Sequence, residues 1–378
     1  MKTLDLVFFD AGGGHRSAAN ALCEAVKQQG LDWDMRLMNL QERLDEIDVF
    51  RKITGLRMQD IYNLILRKGW TLGSTEMLPL MHAVIKAYHP TQVRLLAKYW
   101  KGREASLVIS VIPNFNRALF DSLAQSMPGV PMVTILTDMA DYPPHFWIEK
   151  QPQYLICGTE RAYRQALEIG HAKERVFLVS GMILNPRFYE PVAVDRAGAR
   201  EMLGLDPKLP TALIMFGGEG SAKMLDIARR LNSSGLDLQM IAICGKNQKL
   251  ERALRDMPRR VPMHVEGFTR EVPRFMRLSD FFIGKPGPGS ISEAVAMGLP
   301  VIVESNAWTL PQERYNVQWV EEKGVGIGLS SFRKQIVDAA RRMIDAKERA
   351  EFHEHVGALK NRAVFEIPDI LARIMEQR

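Results

Sequence analysis

The sequence has few cysteines and no long apolar run, and these two shortages exclude several classes of protein. Its three cysteines are scattered, odd in number and without the spacing of a metal-binding set: Cys23, Cys157 and Cys244. We therefore predict a reducing compartment, with neither a disulfide framework nor a zinc site. Because no apolar run approaches the roughly 20 residues of a membrane-spanning helix, we expect any contact with a membrane to occur at its surface.

Patterns that could hold a catalytic metal are also poorly represented. Asp32-Trp33-Asp34 precedes a predicted strand and is far from any glycine-rich turn, so we interpret it as an ordinary turn. His353 and His355 lack the four-residue spacing that places two ligands on one face of a helix. We predict no metal ligand and no cofactor, because helix N-termini and basic side chains can receive developing negative charge.

Positive charge is abundant, and it is concentrated in one segment. The net charge is +6, but residues 51–103 carry ten Lys or Arg against Asp60 and Glu76, a net +8 that leaves −2 for the rest of the chain. Aromatic residues are interleaved with these cations: Tyr62, Trp70, Tyr88, Tyr99 and Trp100. This composition is typical of a surface that meets anionic lipid headgroups. The alternative is a solvated basic face on packed helices. Nucleic acid is not expected, since no recognised binding module accompanies the charge.

Short apolar runs alternate with helical patterns along the chain, which predicts an α/β fold with two Rossmann-like lobes and parallel sheets. At 378 residues the chain exceeds the usual size of a single core. Two prolines without periodicity at 185–191 indicate an interdomain linker. We predict an N-terminal lobe at 1–185 with a helical insertion at 41–103, a C-terminal lobe at 186–360, and a last helix at 361–378 that returns to the first lobe.

The strands predicted from these apolar runs number six in the first lobe and five in the second. They are Leu4–Phe9, Met35–Leu40, Leu107–Ile112, Met132–Thr137, Tyr154–Cys157, Val176–Val179, Ala212–Phe216, Gln239–Ile243, Met263–Glu266, Phe281–Ile283 and Val301–Val303.

Two glycine-rich turns mark where predicted strands give way to helices. They are Gly12-Gly13-Gly14-His15-Arg16 and Gly287-Pro288-Gly289-Ser290. Glycine lets the backbone approach a phosphate closely, and the helix that follows offers unpaired N–H groups and its positive dipole end. Open α/β sheets bind ligands at the carboxyl ends of their strands. One such turn in each half predicts two lobes that face one charged ligand across a cleft.

Four motifs resemble those of the monogalactosyldiacylglycerol synthases, in the same order along the chain. The first is the turn at Gly12, and the second is Gly217-Gly218-Glu219-Gly220. The third is the turn at Gly287, and the fourth is Pro311-Gln312-Glu313-Arg314-Tyr315-Asn316. Relatives of those enzymes are the bacterial diacylglycerol glucosyltransferases and the glycosyltransferase that makes lipid II. The resemblance covers most of the chain and implies the two-lobed GT-B glycosyltransferase fold, with the nucleotide sugar held mainly by the C-terminal lobe. One departure is that Pro143 stands where the family usually has a histidine five residues after a Thr-Asp pair, and His145 follows two residues later.

The resemblance and the chemistry of a nucleoside diphosphate together predict the donor site. Backbone N–H groups for the phosphates are expected from Gly13, Gly14, Gly218, Gly220, Ser221, Gly287, Gly289 and Ser290. Glu293 is expected to accept the ribose hydroxyl protons, although the helix dipole also favours a carboxylate in the first turn. Phe268 resembles the residue beside the uracil, with a core aromatic as the alternative. Gln312 and Glu313 resemble the pair that reads the sugar hydroxyls, with a solvated loop as the alternative.

His15 and Asp138 are the predicted catalytic residues. Neutral His15 can take the proton of an acceptor hydroxyl, whereas protonated His15 would stabilise the leaving diphosphate. Asp138, at the end of another strand, is the base, the residue that orients the histidine, or only a cap. Arg16 contacts a phosphate or a headgroup, or is an ordinary surface arginine. Asp141 and His145 are expected on the acceptor side.

These features predict an inverting glycosyltransferase that moves a hexose from a UDP-sugar to a membrane lipid hydroxyl, with diacylglycerol as the expected acceptor. Its expected location is cytoplasmic, peripheral on the inner face of the cell membrane. One alternative keeps the UDP-sugar and changes the acceptor to a cell-wall lipid or a soluble alcohol. A second is a UDP-sugar epimerase of the same fold, which has no need of a basic insertion. A third is a non-catalytic lipid-surface protein, which has no need of the site residues.

Overall fold

The computed structural model describes residues 1–10, 13–44, 74–190 and 195–377, with the side chains of the third range described from residue 86 onward. Several features singled out above therefore lie outside the described residues. They are Gly12, residues 45–73 of the basic insertion, and Pro191 at the end of the linker.

The N-terminal lobe is built on a six-stranded parallel sheet with the order β2-β1-β3-β4-β5-β6. The strands are β1 (Lys2–Phe8), β2 (Trp33–Asn39), β3 (Leu107–Ser110), β4 (Met132–Ile135), β5 (Tyr154–Cys157) and β6 (Val176–Leu178). The helices described in this lobe are α1 (Gly14–Gln28), α2 (Leu40–Leu44), α3 (Ser74–Trp100), α4 (Asn116–Ser126) and α5 (Glu160–Ile169). The central strands are buried on both faces, which is why they form nearly continuous apolar runs.

The C-terminal lobe repeats this architecture with a second six-stranded parallel sheet, in the order β12-β11-β10-β7-β8-β9. The strands are β7 (Thr211–Met215), β8 (Gln239–Ile243), β9 (Met263–Glu266), β10 (Phe281–Gly284), β11 (Val301–Glu304) and β12 (Gly326–Leu329). Its described helices are α6 (Arg196–Met202), α7 (Lys223–Asn232), α8 (Gln248–Arg255), α9 (Val272–Arg277), α10 (Pro288–Ala296), α11 (Pro311–Glu322), α12 (Phe332–Ile344) and α13 (Ala346–Ala358).

The predicted α/β class with parallel sheets is confirmed, and each of the eleven predicted strands corresponds to an observed one. The strand that the sequence pattern missed is β12. Gly326 and Gly328 interrupt its apolar run, and glycine is depleted in strands. Gly326 is required by close packing, because a Cβ at this position would collide with the backbone carbonyl of Val301 on the neighbouring strand.

The last helix, α14 (Ala363–Glu376), packs on the N-terminal lobe although it follows the C-terminal lobe in the chain. Ile367, Leu371 and Ile374 are buried in the same core cluster as Leu4 and Leu6 of β1. The chain thus passes between the lobes twice.

The two interlobe passages are hydrogen-bonded to each other. The Asn361 side-chain amide donates to the Met182 carbonyl (2.9 Å), and the Arg362 backbone N–H donates to the Ser180 hydroxyl (2.7 Å). Within the predicted linker, a short 3-10 turn at Pro186–Tyr189 buries Phe188. These contacts join the two lobes through their connecting segments.

Candidate functional site

The glycine turns predicted from the sequence all lie at carboxyl ends of strands, where helices begin. Gly13 has a left-handed backbone (φ 80°) and immediately precedes α1. Gly287 caps α10, so that Gly289 and Ser290 lie in its first turn. Gly218, Gly220 and Ser221 connect β7 to α7. Each helix start presents N–H groups without helical partners, which favour an anion.

The turn between β7 and α7 requires glycine for two reasons. Gly217 and Gly220 both have positive φ, at 74° and 61°. A Cβ at Gly220 would lie only 2.5 Å from the Cys244 carbonyl oxygen, because this turn packs directly on the loop after β8. The Lys246 backbone N–H donates to the Gly218 carbonyl (2.8 Å) across the same contact. The turn is therefore held in one conformation against the loop after β8.

His15 lies in the first turn of α1 and contacts the loop that follows β4. Its Nδ1 is 3.1 Å from the Thr137 hydroxyl, and its ring centroid is 5.9 Å from that of Trp147. Burial lowers the pKa of His15 to about 4, and a hydrogen bond to the Val111 backbone raises it only in part. The imidazole is therefore neutral at physiological pH, which makes it able to accept a proton.

Asp138 follows β4 and is held by the same tryptophan. The Trp147 indole N–H donates to Asp138 Oδ2 (2.8 Å). Burial raises the pKa of Asp138 to about 7, a rise that the indole hydrogen bond opposes. Trp147 itself is fully buried, so it fixes the carboxylate on one side while its ring lies beside His15 on the other. The two predicted catalytic residues thus belong to one packed unit.

The catalytic candidates of the first lobe face donor-site residues of the second. Glu313 and Lys285 lie close enough to Asp138 to act on its pKa, the carboxylate raising it and the ammonium lowering it. The lobes also touch at Tyr142 and Tyr315, whose ring centroids are 6.0 Å apart. His15 and the Gly287 turn therefore belong to the same cleft, rather than to opposite sides of the molecule.

Glu293 lies one turn into α10 and has a carboxylate without a local partner. Among the residues that the structure describes, none forms a hydrogen bond or an ion pair with its side chain. Burial alone raises the pKa of Glu293 to about 7. A half-buried acceptor on the helix that begins at the Gly287 turn suits the hydroxyl groups of a ribose.

The sugar-reading candidates Gln312 and Glu313 lie in the first turn of α11. Glu313 is buried and forms an ion pair with Lys285 (Nζ to Oε1, 3.3 Å). One turn further, the side-chain amide of Asn316 donates to the Pro286 carbonyl (2.7 Å) and so ties α11 to the turn at Gly287. The structure thus brings the sugar-reading and phosphate candidates together.

Phe268 is placed after β9, and its side chain is 60% exposed. It is therefore not the core aromatic of the alternative interpretation. The Lys246 ammonium lies 5.9 Å from its ring centroid. An exposed aromatic ring beside the turn before α7 is available to a nucleobase.

The residues predicted on the acceptor side make local contacts in the loop that follows β4, and their role toward the acceptor stays a prediction. Asp141 is buried and its carboxylate accepts backbone N–H groups of His145 (2.9 Å) and Trp147 (2.6 Å), so that it braces the loop that carries Trp147. His145 is exposed, with its ring against the Ile148 carbonyl (3.3 Å). Arg16 forms a bidentate ion pair with Asp10.

Four residues of the site carried no assigned role in the sequence interpretation. They are Thr137, Trp147, Lys285 and Asn316, of which only Asn316 stands in a quoted motif and Thr137 ends a predicted strand. A motif letter signals a possible site, but it does not say which distant residue the side chain contacts.

Two kinds of site were not found in the part of the chain that the structure describes. No group of three or more His, Cys, Asp or Glu is arranged to hold a metal ion. No described helix is both long and apolar enough to cross a membrane. The metal-free, cofactor-free mechanism stays a prediction.

Comparison with known proteins agrees with this architecture. Residues 212–362 match the model of the glycosyltransferase family 28 C-terminal domain. The chain is 29% identical to the probable monogalactosyldiacylglycerol synthase of Nicotiana tabacum, over 86% of this chain and 61% of that protein. It is 29% identical to the probable synthase 2 of Oryza sativa subsp. japonica, over 90% of this chain and 73% of that protein.

Solved structures share the fold at low identity. MurG of Acinetobacter baumannii aligns with a TM-score of 0.61 at 13% identity, over 99% of this chain and 100% of that chain. A putative UDP-N-acetylglucosamine 2-epimerase from Listeria monocytogenes also gives 0.61, at 14% identity over 100% and 97%. Anabaena Alr3699/HepE in complex with UDP-glucose gives 0.53, at 14% identity over 99% and 100%.

The two facing sheets, the strand-end turns and these matches define a protein with the GT-B glycosyltransferase fold. Within that fold class, residues 212–362 match the glycosyltransferase family 28 C-terminal domain, and the chain is similar to the monogalactosyldiacylglycerol synthases.

Proposed function

We propose that this protein is an inverting glycosyltransferase that moves a hexose from a UDP-sugar to the hydroxyl of diacylglycerol. The observation that carries the proposal is the similarity to monogalactosyldiacylglycerol synthases over 86–90% of the chain. It is supported by a cleft where three helix N-termini and a neutral imidazole converge with Glu293, whose carboxylate has no partner among the described residues. The protein works from the cytoplasmic side as a peripheral membrane protein.

The donor half of the reaction is assigned to the C-terminal lobe. The N-termini of α7 and α10 bind the diphosphate through backbone N–H groups, and Lys285 adds a cation at the same place. Glu293 accepts hydrogen bonds from the ribose hydroxyl groups, and Phe268 lies against the nucleobase. Positive charge at these positions stabilises the UDP that leaves as the bond to the anomeric carbon breaks.

The acceptor half is assigned to the N-terminal lobe. The acceptor oxygen forms its bond to the anomeric carbon from the face opposite UDP, and its proton passes to His15 or Asp138. His15 is neutral at physiological pH, so one of its two ring nitrogens carries no proton. Asp138 has a pKa near the working pH, which is the favourable range for a general base. Trp147 and Thr137 hold the two groups in place.

The acceptor and the donor are tested together. The protein is incubated with a panel of UDP-hexoses and diacylglycerol-containing vesicles, and lipid products are read by mass spectrometry. A hexosyl-diacylglycerol product is expected from one UDP-hexose. Interconversion of UDP-sugars without any acceptor would indicate the epimerase instead, a fold relative in view of the Listeria structure. Glycosylation of only a cell-wall lipid or a soluble alcohol would reject diacylglycerol.

Glu293→Gln should separate donor binding from stability. We expect UDP affinity to fall by about 10- to 100-fold, since hydrogen bonds to a charged group contribute about 1.5–3 kcal/mol. Stability should rise, because the pKa of Glu293 lies above its ordinary value in the folded state. The wild-type carboxylate begins to destabilise the fold as pH rises past about 4.5, and the effect is complete above about 7. There, removing the carboxylate gains on the order of 3 kcal/mol of stability.

This prediction is measured by calorimetric UDP titration and by thermal unfolding of the ligand-free protein at pH 8 and pH 4. Glu322→Gln at the end of α11 is the matched control, with unchanged UDP affinity. Unchanged UDP affinity in the Glu293 variant would remove this residue from the site.

Membrane attachment should depend on the exposed basic face of α3. Lys86, Arg94 and Lys98 are exposed on this helix, while Leu96 and Trp100 on its other face are buried. Reversing these three charges to Glu should weaken binding to anionic vesicles at least about ten-fold, since each cation near such a surface contributes about 1 kcal/mol. Raising the salt concentration should weaken wild-type binding as well.

The measurement is flotation with anionic and neutral vesicles. The matched control reverses three exposed lysines outside the insertion, Lys334, Lys347 and Lys360. Equal loss in both triple variants, or equal wild-type flotation with both kinds of vesicle, would reject this attachment surface.

A further inference from the structure

Lys285 and Glu313 form an ion pair where the donor turns meet. Lys285 directly follows β10, and Glu313 lies in the first turn of α11. Their Nζ and Oε1 atoms are 3.3 Å apart, and the side chains are 37% and 11% exposed. The lysine is thus accessible from the cleft, whereas the glutamate lies deeper.

The Lys285 side chain lies close to both phosphate turns, the one at Gly217 and the one at Gly287. A Cβ at Gly217 would lie 3.6 Å from Lys285 Cε, and one at Gly287 would lie 3.3 Å from the same atom. The Gly287 Cβ would also be 3.6 Å from Glu313 Oε1. The ion pair therefore occupies the space that the two glycines leave open, next to the N–H groups of α7 and α10.

A diphosphate at these helix starts would compete with Glu313 for the same ammonium. Lys285 is a compact point charge on a flexible stem with three donors, so it can turn from one anion to another over a short distance. Phosphate offers more negative charge than a single carboxylate. Lys246, the other lysine beside the turn before α7, is 65% exposed and 3.8 Å from Glu219, so it is not sequestered in this way.

We propose that donor binding makes Lys285 exchange partners: its ammonium leaves Glu313 for the diphosphate, and the released Glu313 carboxylate then accepts a hydrogen bond from a hydroxyl group of the sugar. This inference rests on the proposed function and adds an order of binding to it. The phosphates bind first, and Glu313 contacts the sugar hydroxyls afterwards. Until the exchange, Glu313 is occupied by Lys285 and is unable to hold a hexose. Because both residues act on Asp138, the exchange also changes the electrostatic environment of that candidate base.

The exchange predicts a result that a simple sugar-binding role for Glu313 does not. Glu313→Gln should tighten UDP, which carries no sugar, by about two- to five-fold, because it removes the competitor for Lys285. The same variant should lower kcat with the UDP-hexose by ten-fold or more. Lys285→Met should weaken UDP by about 10- to 100-fold, and Lys285→Arg should recover part of that loss.

The test is a double-mutant cycle with calorimetric UDP titrations. In the Lys285→Met background, Glu313→Gln should no longer tighten UDP, since there is no ammonium to release. Glu322→Gln on the same helix is the control and should leave UDP affinity unchanged. Weaker UDP binding in Glu313→Gln, or equal tightening with and without Lys285, would overturn the exchange. A wild-type protein that does not bind UDP at all would overturn the proposed function and the exchange with it.

Discussion

Replacing His15 with alanine should lower kcat by about 1,000-fold while leaving UDP affinity within about two-fold. General acid–base catalysis by one positioned side chain contributes about 10²–10⁴-fold, and His15 is neutral at the cleft with its ring fixed by Thr137 and Trp147. The donor turns of the second lobe are unaffected by the change. Turnover with the UDP-hexose identified by product analysis, compared with calorimetric UDP affinity, checks this split.

His145→Ala is the control for the histidine prediction, because that side chain is exposed on the loop and is not part of the His15 contact. It should retain kcat within a few-fold. If His15→Ala keeps normal turnover, His15 is not the base. If it loses UDP affinity as strongly as kcat, the residue acts on the donor instead.

Replacing Asp138 with asparagine should also lower kcat by about 10²–10⁴-fold and should remove a pH dependence. In the wild type the pKa of Asp138 is about 7, so its basic form accumulates as pH rises through 7 and kcat rises with it. Asparagine keeps an oxygen that can accept the Trp147 indole N–H, but it does not ionise. Its residual kcat should therefore be flat between pH 6 and pH 8.

The pH profiles of kcat and of donor affinity distinguish the two half-buried carboxylates, Asp138 and Glu293. Glu293 also has a pKa of about 7, and its ionised form is the one expected to bind ribose. UDP affinity should thus weaken below pH 7 in both the wild type and the Asp138 variant. A kcat that still rises through pH 7 after Asp138→Asn would assign that dependence to another group.

The parallel α/β lobes were predictable because their signals are local. A strand buried on both faces must be apolar throughout, as in Leu107–Ser110, and such runs separated by helical patterns indicate parallel sheets. The turns were predictable for the same reason, since Gly13 and Gly220 adopt backbones that other residues rarely take. By contrast, β12 was not predicted, because Gly326 and Gly328 interrupt its apolar run. Glycine is needed at these two positions for packing against other parts of the chain, which the local sequence does not show.

The candidate site was predictable in part. His15 and Asp138 lie together and face Glu313 of the second lobe, as the order of the motifs led us to expect, and the roles of these residues stay predictions. Asp141 braces a loop from a buried position and Arg16 is paired with Asp10, and neither arrangement follows from residue type. Phe268 could be core or surface from its sequence context, and only its exposure of 60% distinguishes the two.

The amino-acid sequence by itself determined the fold class, the places where strands end in glycine turns, and the chemistry available at each turn, since all of these depend on neighbours in the chain. The tertiary structure alone decided which groups meet. Trp147 reaches Asp138 and His15, Lys285 reaches Glu313, and α14 returns to β1 because folding brings distant segments within hydrogen-bonding or packing distance. The tertiary structure also decided the charge states of two site residues. Burial lowers the pKa of His15, so that its imidazole is neutral, and raises the pKa of Asp138, so that its carboxylate titrates near pH 7.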